Sequence, residues 1–303
     1  MKSPQAALVV PHSIVSSVYT TPSVEPFNVN VPNEQIPLRV RTVSLCAIYD
    51  KRYVRRFGYG NGRGVIKRFV VLYCDATYLN VRRDSVEKEA LHIIMGITED
   101  GTKEVLDYAL YPQERAENYA YMLNNLKERG LEQVLLFVTD GLTGIREELL
   151  KTFPKAKHQT CWTHLARNVL KYARAKDKLQ VMKDFKRIHE QNNMDAAMTE
   201  LMQFCEKYGK IYPKLVERLS DVTSFFSFYD FPESIRPSIY TTNLIENFNK
   251  QIKSQCKKKK QFSNEASLER FICGLVLEYN RETEERIHKG FSLAQSQLTV
   301  LFN

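Results

Sequence analysis

Three carboxylates occupy positions suited to phosphoryl-transfer chemistry. Asp75 lies within the apolar run Phe69 to Leu79 (FVVLYCDATYL), Asp140 follows the run Val134 to Val138 (VLLFV), and Glu246 sits in TTNLIENFNKQIK. An ionised acid near the end of a buried strand is costly unless it binds a cation, pairs with a base or caps a turn. Acids from separate elements that converge at one sheet edge suit hard cations such as Mg²⁺ or Mn²⁺. Two such ions about 3.5–4 Å apart serve an in-line displacement at phosphorus. Asp75, Asp140 and Glu246 are therefore candidate metal ligands and candidate catalytic residues together. Turn capping by a strand-end aspartate is the competing reading, and spacing alone does not separate the two.

The elements that would carry these acids read as an α/β arrangement. β-Branched and aromatic runs predict strands over 69–75, 78–83, 90–98 and 103–110, with a Glu99-Asp100-Gly101-Thr102 turn between the last two. Short connections make them an antiparallel meander. Tyr119, Met122, Leu123 and Leu126 recur at helical spacing and the helix stops at Gly130. A strand at 134–138, a helix at 143–152, a strand at 157–161 and a helix at 162–175 follow. Strands alternating with helices predict a mixed sheet flanked by helices.

From 176 to about 235 strand signals vanish. Leu179, Met182, Phe185 and Ile188, then Ala197, Leu201 and Phe204, recur at helical spacing, which predicts an all-helical insertion. Phe225, Phe226, Phe228, Tyr229 and Phe231 predict a packed junction ahead of Pro232. Glu246 falls on a helix, followed by the basic run Lys257 to Lys260 and an amphipathic helix over 264–281. Residues 1 to about 40 carry six prolines, which predicts irregular structure. Residues 38–68 are basic, with interleaved Tyr53, Phe57 and Tyr59. Such a segment tracks a nucleic-acid backbone or serves as a solvated connector.

The chain has 44 Lys+Arg against 35 Asp+Glu in 303 residues, a net charge of +9 that suits a polyanionic partner. Its six cysteines form no CxxC pair and read as reduced thiols. Cys161 and His164 make half a zinc site, but no second ligand pair follows, so zinc is not expected. No apolar run approaches the ~20 residues that span a bilayer. Lys2 and the short patch Ala6 to Val10, stopped by Pro11, make a poor signal peptide. The expectation is a soluble, cytoplasmic protein with no membrane partner.

Five segments carry a family resemblance: CDATYLNVRR (74–83), RAENYAYMLNNLKERGL (115–131), FVTDGLTGI (137–145), HQTCWTHLARNVL (158–170) and YTTNLIENFNKQIK (240–253). They resemble, in order, the Mutator-type transposases of bacterial insertion sequences, over about 65 to 303. The resemblance implies an RNase H-like core, first part 65–175 and C-terminal helices 239–303, interrupted by the helical insertion at 176–238. It implies a DDE triad at Asp75, Asp140 and Glu246 with Mg²⁺ or Mn²⁺. The chemistry implied is nicking at transposon ends, then attack of the freed 3′-hydroxyl on target DNA. The partners implied are transposon-end and target DNA and a homodimer or higher oligomer on it, at the bacterial nucleoid.

The neighbouring residues have paired readings. Lys253, two helical turns after Glu246, holds a DNA phosphate near the metals or is a solvated lysine. Asn243 and Asn249 orient backbone or phosphate, with Thr241, Thr242 or Asn243 as a simple cap of that helix in the other reading. His164 touches DNA or donates to a carboxylate, with Cys161 as its motif partner. Arg167 faces phosphate. Trp162 stacks on an extruded base or is a buried junction residue. Glu117 adds an acid to the site or favours its helix dipole. The family's N-terminal helix-turn-helix has no match in residues 1–64, which are short, basic and proline-rich. That leaves a truncated copy, a disrupted element, or a variant whose end recognition lies elsewhere. The alternatives to an active transposase are a defective remnant that binds DNA non-specifically and a general RNase H-like nuclease.

Overall fold

The computed structural model describes residues 68–82, 85–219, 222–259 and 262–303. The expectations for residues 1–64, and for the basic stretch up to Lys67, lie outside the described residues.

Three strands form the meander: β1 (Arg68–Arg82), β2 (Val86–Ile97) and β3 (Lys103–Tyr111), each antiparallel to the next. The two strands expected at 69–75 and 78–83 are one. Pairing runs unbroken from Val71 opposite Ile97 to Arg82 opposite Val86. The change at Ala76 is from burial on both faces to alternation of buried and exposed residues. Continuous and alternating hydrophobicity mark different coverage of a strand, and neither is a turn.

The chain then crosses through α1 (Ala116–Glu128) to β4 (Gln133–Thr139), which pairs parallel with β1. A second crossover through α2 (Ile145–Thr152) leads to β5 (Lys157–Thr160), parallel to β4. The sheet is mixed and five-stranded, in the order β3-β2-β1-β4-β5.

Both faces are covered. Tyr119, Met122 and Leu123 of α1 and Leu149 of α2 pack with Phe69, Leu72 and Phe137 on one side. The other side buries Val71, Tyr73, Ile93 and Val138 beneath the later helices. Those are α3 (Trp162–Leu170), α4 (Lys178–His189), α5 (Met194–Gly209), α6 (Pro213–Glu217), α7 (Arg236–Ile239), α8 (Asn243–Lys259), α9 (Glu265–Thr283) and α10 (Phe291–Leu301). Asn193 and Asn264 cap α5 and α9 by accepting from the backbone N–H three residues on, at 2.9 Å each.

After Thr160 no strand occurs among the described residues. The segment expected to be helical at 176–235 contains α4, α5, α6 and two 3₁₀ turns. α3 ends at Leu170 rather than at 175, and α10 has no counterpart in the sequence reading.

Candidate active site

The parallel register decides where the two aspartates stand. Cys74 lies opposite Thr139, so the next residues, Asp75 within β1 and Asp140 just past the end of β4, stand at the same level. β1 continues past this point while β4 ends, and Gly141, at φ 91°, turns the chain away with a backbone that disfavours a side chain. Asp140 Oδ1 accepts from the Leu142 N–H at 3.2 Å, so it does cap its own turn. Asp75, 8% exposed, accepts at Oδ2 from Asn249 Nδ2 at 2.7 Å.

Burial pushes the Asp75 carboxyl up to about 6, and the Asp140 charge adds to the rise. The Asn249 hydrogen bond and His164 oppose it. Two acids held together in a poorly solvated place favour a proton or a cation between them.

Glu246 reaches the site from the first turn of α8. Its Oε1 lies 3.3 Å from His164 Nε2 and accepts from Thr242 Oγ1 at 3.3 Å. Its Oε2 lies 3.5 Å from Arg167 Nη2 and 3.9 Å from Lys250 Nζ. The Glu246 charge is still felt at Asp75, where it raises the carboxyl further. So all three acids share one electrostatic neighbourhood.

Beside Glu246, the Sγ of Cys161 accepts from the Thr242 N–H at 3.2 Å and lies 3.2 Å from the Thr242 hydroxyl, whose single proton it shares with Glu246. Burial raises the Cys161 thiol, but hydrogen bonds from His164 and Thr242 outweigh it and leave it below its ordinary range. His164 is raised, chiefly by Cys161 and with help from Asp140 and Glu246. Donor atoms of Cys161, His164 and Glu246 lie within 4.8 Å of one another, a group able to hold a metal ion. A thiolate–imidazole–carboxylate set suits a softer ion such as zinc, whereas the carboxylates alone suit Mg²⁺. The third donor comes from α8, more than eighty residues beyond the CxxH pair and invisible to spacing rules.

Other sequence-selected residues scatter. Trp162 is 2% exposed, donates from Nε1 to the Phe225 carbonyl at 2.8 Å and stacks on His189. Its ring is filled by protein neighbours, which corrects the base-stacking reading. Glu117 is exposed on α1. The acid facing the site is Glu114, three residues earlier: it accepts from Tyr119 Oη at 3.2 Å, and burial followed by Asp140 and Asp75 raises it to about 7. Asn243 is exposed at the start of α8, and Arg167 is half exposed. Lys253 is exposed about 10 Å further along the α8 axis than Glu246. Two cations escaped the sequence reading. Lys171 and Arg218 line, with Asp140 and Gly141, an open cleft of about 410 Å³. They come from the end of α3 and the end of α6, and no local pattern links them to an aspartate.

The sequence model for the transposase Mutator family matches residues 54–285. The chain belongs to that family. A transposase for insertion sequence element IS905 of Lactococcus lactis subsp. lactis (strain IL1403) is 39% identical over 241 residues, 80% of this chain and 62% of the relative. A transposase for element IS1201 of Lactobacillus helveticus is 42% identical over 211 residues, 69% of this chain and 57% of the relative. The chain thus matches about 60% of the length of these curated relatives. Among solved structures, a chain of the Drosophila P element transposase strand transfer complex is 12% identical at a TM-score of 0.29, covering 87% of this chain and 74% of that one. A likeness at that level carries no argument about the fold.

Proposed function

We propose that this Mutator-family chain cuts DNA and transfers the cut strand by a DDE mechanism at Asp75, Asp140 and Glu246. The observation that supports it most is the β1–β4 register, which sets two acids side by side with a third brought in by α8. The same order of strands, with helices on both faces, supports an RNase H-like core of 65–175 and 239–303, with 176–238 inserted into it.

The two aspartates fit hard divalent cations: Asp75 and Asp140 make no ion pair with Lys or Arg among the described residues, and the buried Asn249 Oδ1 lacks a partner beside Asp75, whereas Glu246 is already engaged by His164, Arg167 and Lys250. Asp75, Asp140 and Glu246 would hold Mg²⁺ or Mn²⁺, which when bound activates the attacking oxygen and stabilises the leaving one. Asn249 orients Asp75. Thr242, His164 and Arg167 hold Glu246 until substrate arrives. Lys171 and Arg218, with Arg167 and Asn243 nearby in sequence motifs, offer cationic and amide donors to phosphate.

Two displacements follow at phosphorus. Water attacks the phosphodiester at the element's end, the P–O3′ bond breaks and a 3′-hydroxyl is freed. That hydroxyl then attacks a target phosphodiester, forming one P–O bond as another breaks, so the bond count is conserved. The partners would be transposon-end and target DNA and further copies of this chain, at the nucleoid of a bacterial cytoplasm. No helix of the described residues is long and apolar enough to cross a membrane.

The deciding experiment incubates the chain with DNA carrying the element's own ends, a target plasmid and Mg²⁺ or Mn²⁺. Cation-dependent joining by the wild type and its loss in Glu246→Gln is the expected result. Joining that survives Glu246→Gln removes that residue from the mechanism.

A second expectation concerns Asn249. Asn249→Ala deprives Asp75 of its amide donor, so the carboxyl rises further and needs a higher pH to ionise. A hydrogen bond to a charged group is worth about 1.5–3 kcal/mol, roughly one to two pKa units. Mn²⁺ binding followed by calorimetry between pH 5 and 8 should therefore shift its midpoint upward by about one unit. An unmoved midpoint would detach Asn249 from Asp75.

A further inference from the structure

Beyond the acids, β1 and α8 diverge around an open cleft of about 560 Å³. Past Asp75 the alternation of β1 puts Tyr78, Asn80 and Arg82 on one face. Lys88 lies directly across from Asn80, and Val86 across from Arg82, so the hairpin presents Arg82 and Lys88 to the cleft. Facing them, Lys253 and Lys257 stand one turn apart on α8. Among the described residues no Asp or Glu lines the cleft. Four cations without a lining counter-charge repel one another, and a polyanion removes that repulsion.

Apolar side chains line the same cleft. Phe262 and Leu268 are among them, and Tyr78 keeps 48% of its surface exposed and Val86 63%. Cations at the rim and an aromatic ring within reach match what a single nucleic-acid strand requires, with phosphates outside and bases laid on a π-face.

We infer that the cleft between the β1–β2 hairpin and α8 binds a single DNA strand, with Arg82, Lys88, Lys253 and Lys257 on its phosphates and Tyr78 beneath a base. This rests on the proposed DNA chemistry and extends it. Lys253 lies about 10 Å along α8 from Glu246, so one helix would hold a strand at one end and the reacting phosphate at the other. An acidic peptide would satisfy the cations but leaves the aromatic lining without a partner.

The test is fluorescence anisotropy of a labelled oligothymidine with the full chain in EDTA, across a range of salt. Single-strand binding loses affinity with a log–log slope of about −0.7 per phosphate contact. Arg82→Gln/Lys253→Gln should flatten the slope by about 1.4 and weaken binding at least tenfold at low salt. Tyr78→Ala should weaken binding about tenfold with the slope unchanged, because stacking releases no counterions. Lys214→Gln, on an exposed lysine of α6, controls for net charge, and circular dichroism confirms that each variant folds.

A slope that the double variant leaves alone overturns the cleft. So does displacement of the oligothymidine by polyglutamate as readily as by unlabelled oligothymidine, or binding confined to duplex DNA. Asp140→Asn, run in parallel, separates this proposal from the catalytic one. A wild type that binds as described but never cuts leaves the cleft standing and removes the DDE reading. Cutting with cleft variants that bind as wild type does the reverse.

Discussion

Asp140→Asn should lower DNA cleavage and joining by about 10³-fold while leaving the fold in place. The asparagine keeps an Oδ1 for the Leu142 N–H, so the turn after β4 retains its cap. What it loses is the second charge beside Asp75. Metal-borne stabilisation of a transferring phosphoryl group is worth several kcal/mol, and about 4 kcal/mol corresponds to the stated factor. Activity within tenfold of wild type would exclude Asp140 from the chemistry.

The same substitution has a signature without DNA. Asp75 has its folded pKa raised from 3.8 to about 6, with burial the first cause and Asp140 the second. Its contribution to stability is therefore present below about pH 4 and is lost as pH rises through 6, a change of up to about 3 kcal/mol. Melting in EDTA should decline across that window, and Asp140→Asn should make the decline shallower. A steeper one would contradict the proximity of the two acids.

Gly290→Ala should cost the fold more than any other glycine change considered. Gly290 caps α10 with φ at 88°, and a Cβ there would collide with the carbonyl oxygen of Ser234. The obstacle is backbone, and the same segment is tied down by Ser234 Oγ donating to the Gly290 carbonyl at 3.0 Å. Phe291, fully buried next to it, prevents the helix from backing away. A left-handed conformation costs an L-residue roughly 1–2 kcal/mol, and the clash brings the total to about 3–4 kcal/mol. The midpoint of thermal unfolding should fall by about 10 °C. Gly274→Ala is the counterpart: it lies exposed within α9 with nothing within 4 Å of the added methyl, and it should stabilise by up to about 1 kcal/mol. Equal behaviour of the two would refute the argument.

Much of this was legible in the order of residues. Apolar runs broken by Gly and Pro located β3, β4 and α1 to within a few residues, because buried strands and amphipathic helices write strong periodicities, while β1 was read as two strands where it changes from double-sided to single-sided burial. The loss of strand signals after 176 likewise announced α4 and α5. What stayed hidden depends on tertiary placement. Glu117 stood out because it begins α1 beside other motif residues, yet Glu114 is the acid that the chain turns inward. Lys171 and Arg218 meet Asp140 only after α3 and α6 pack together. For Trp162 the sequence left base stacking and burial at a junction side by side, and Phe225 and His189, both distant in sequence, decide for burial. Helix α10 was missed because its apolar residues are split between a buried side, Phe291, Ala294 and Leu298, and an exposed one, Leu293 and Val300.

The bond from Asn249 to Asp75 joins positions 174 residues apart. At 5–20 residues per second, a ribosome takes roughly 9–35 s to travel from one to the other. β1 and then β4 are completed within that interval, while the helix that steadies Asp75 and delivers Glu246 is the last of the three to be made. The three acids therefore cannot come together before α8 has been made, and the length of the intervening chain acts as a clock on the newborn protein.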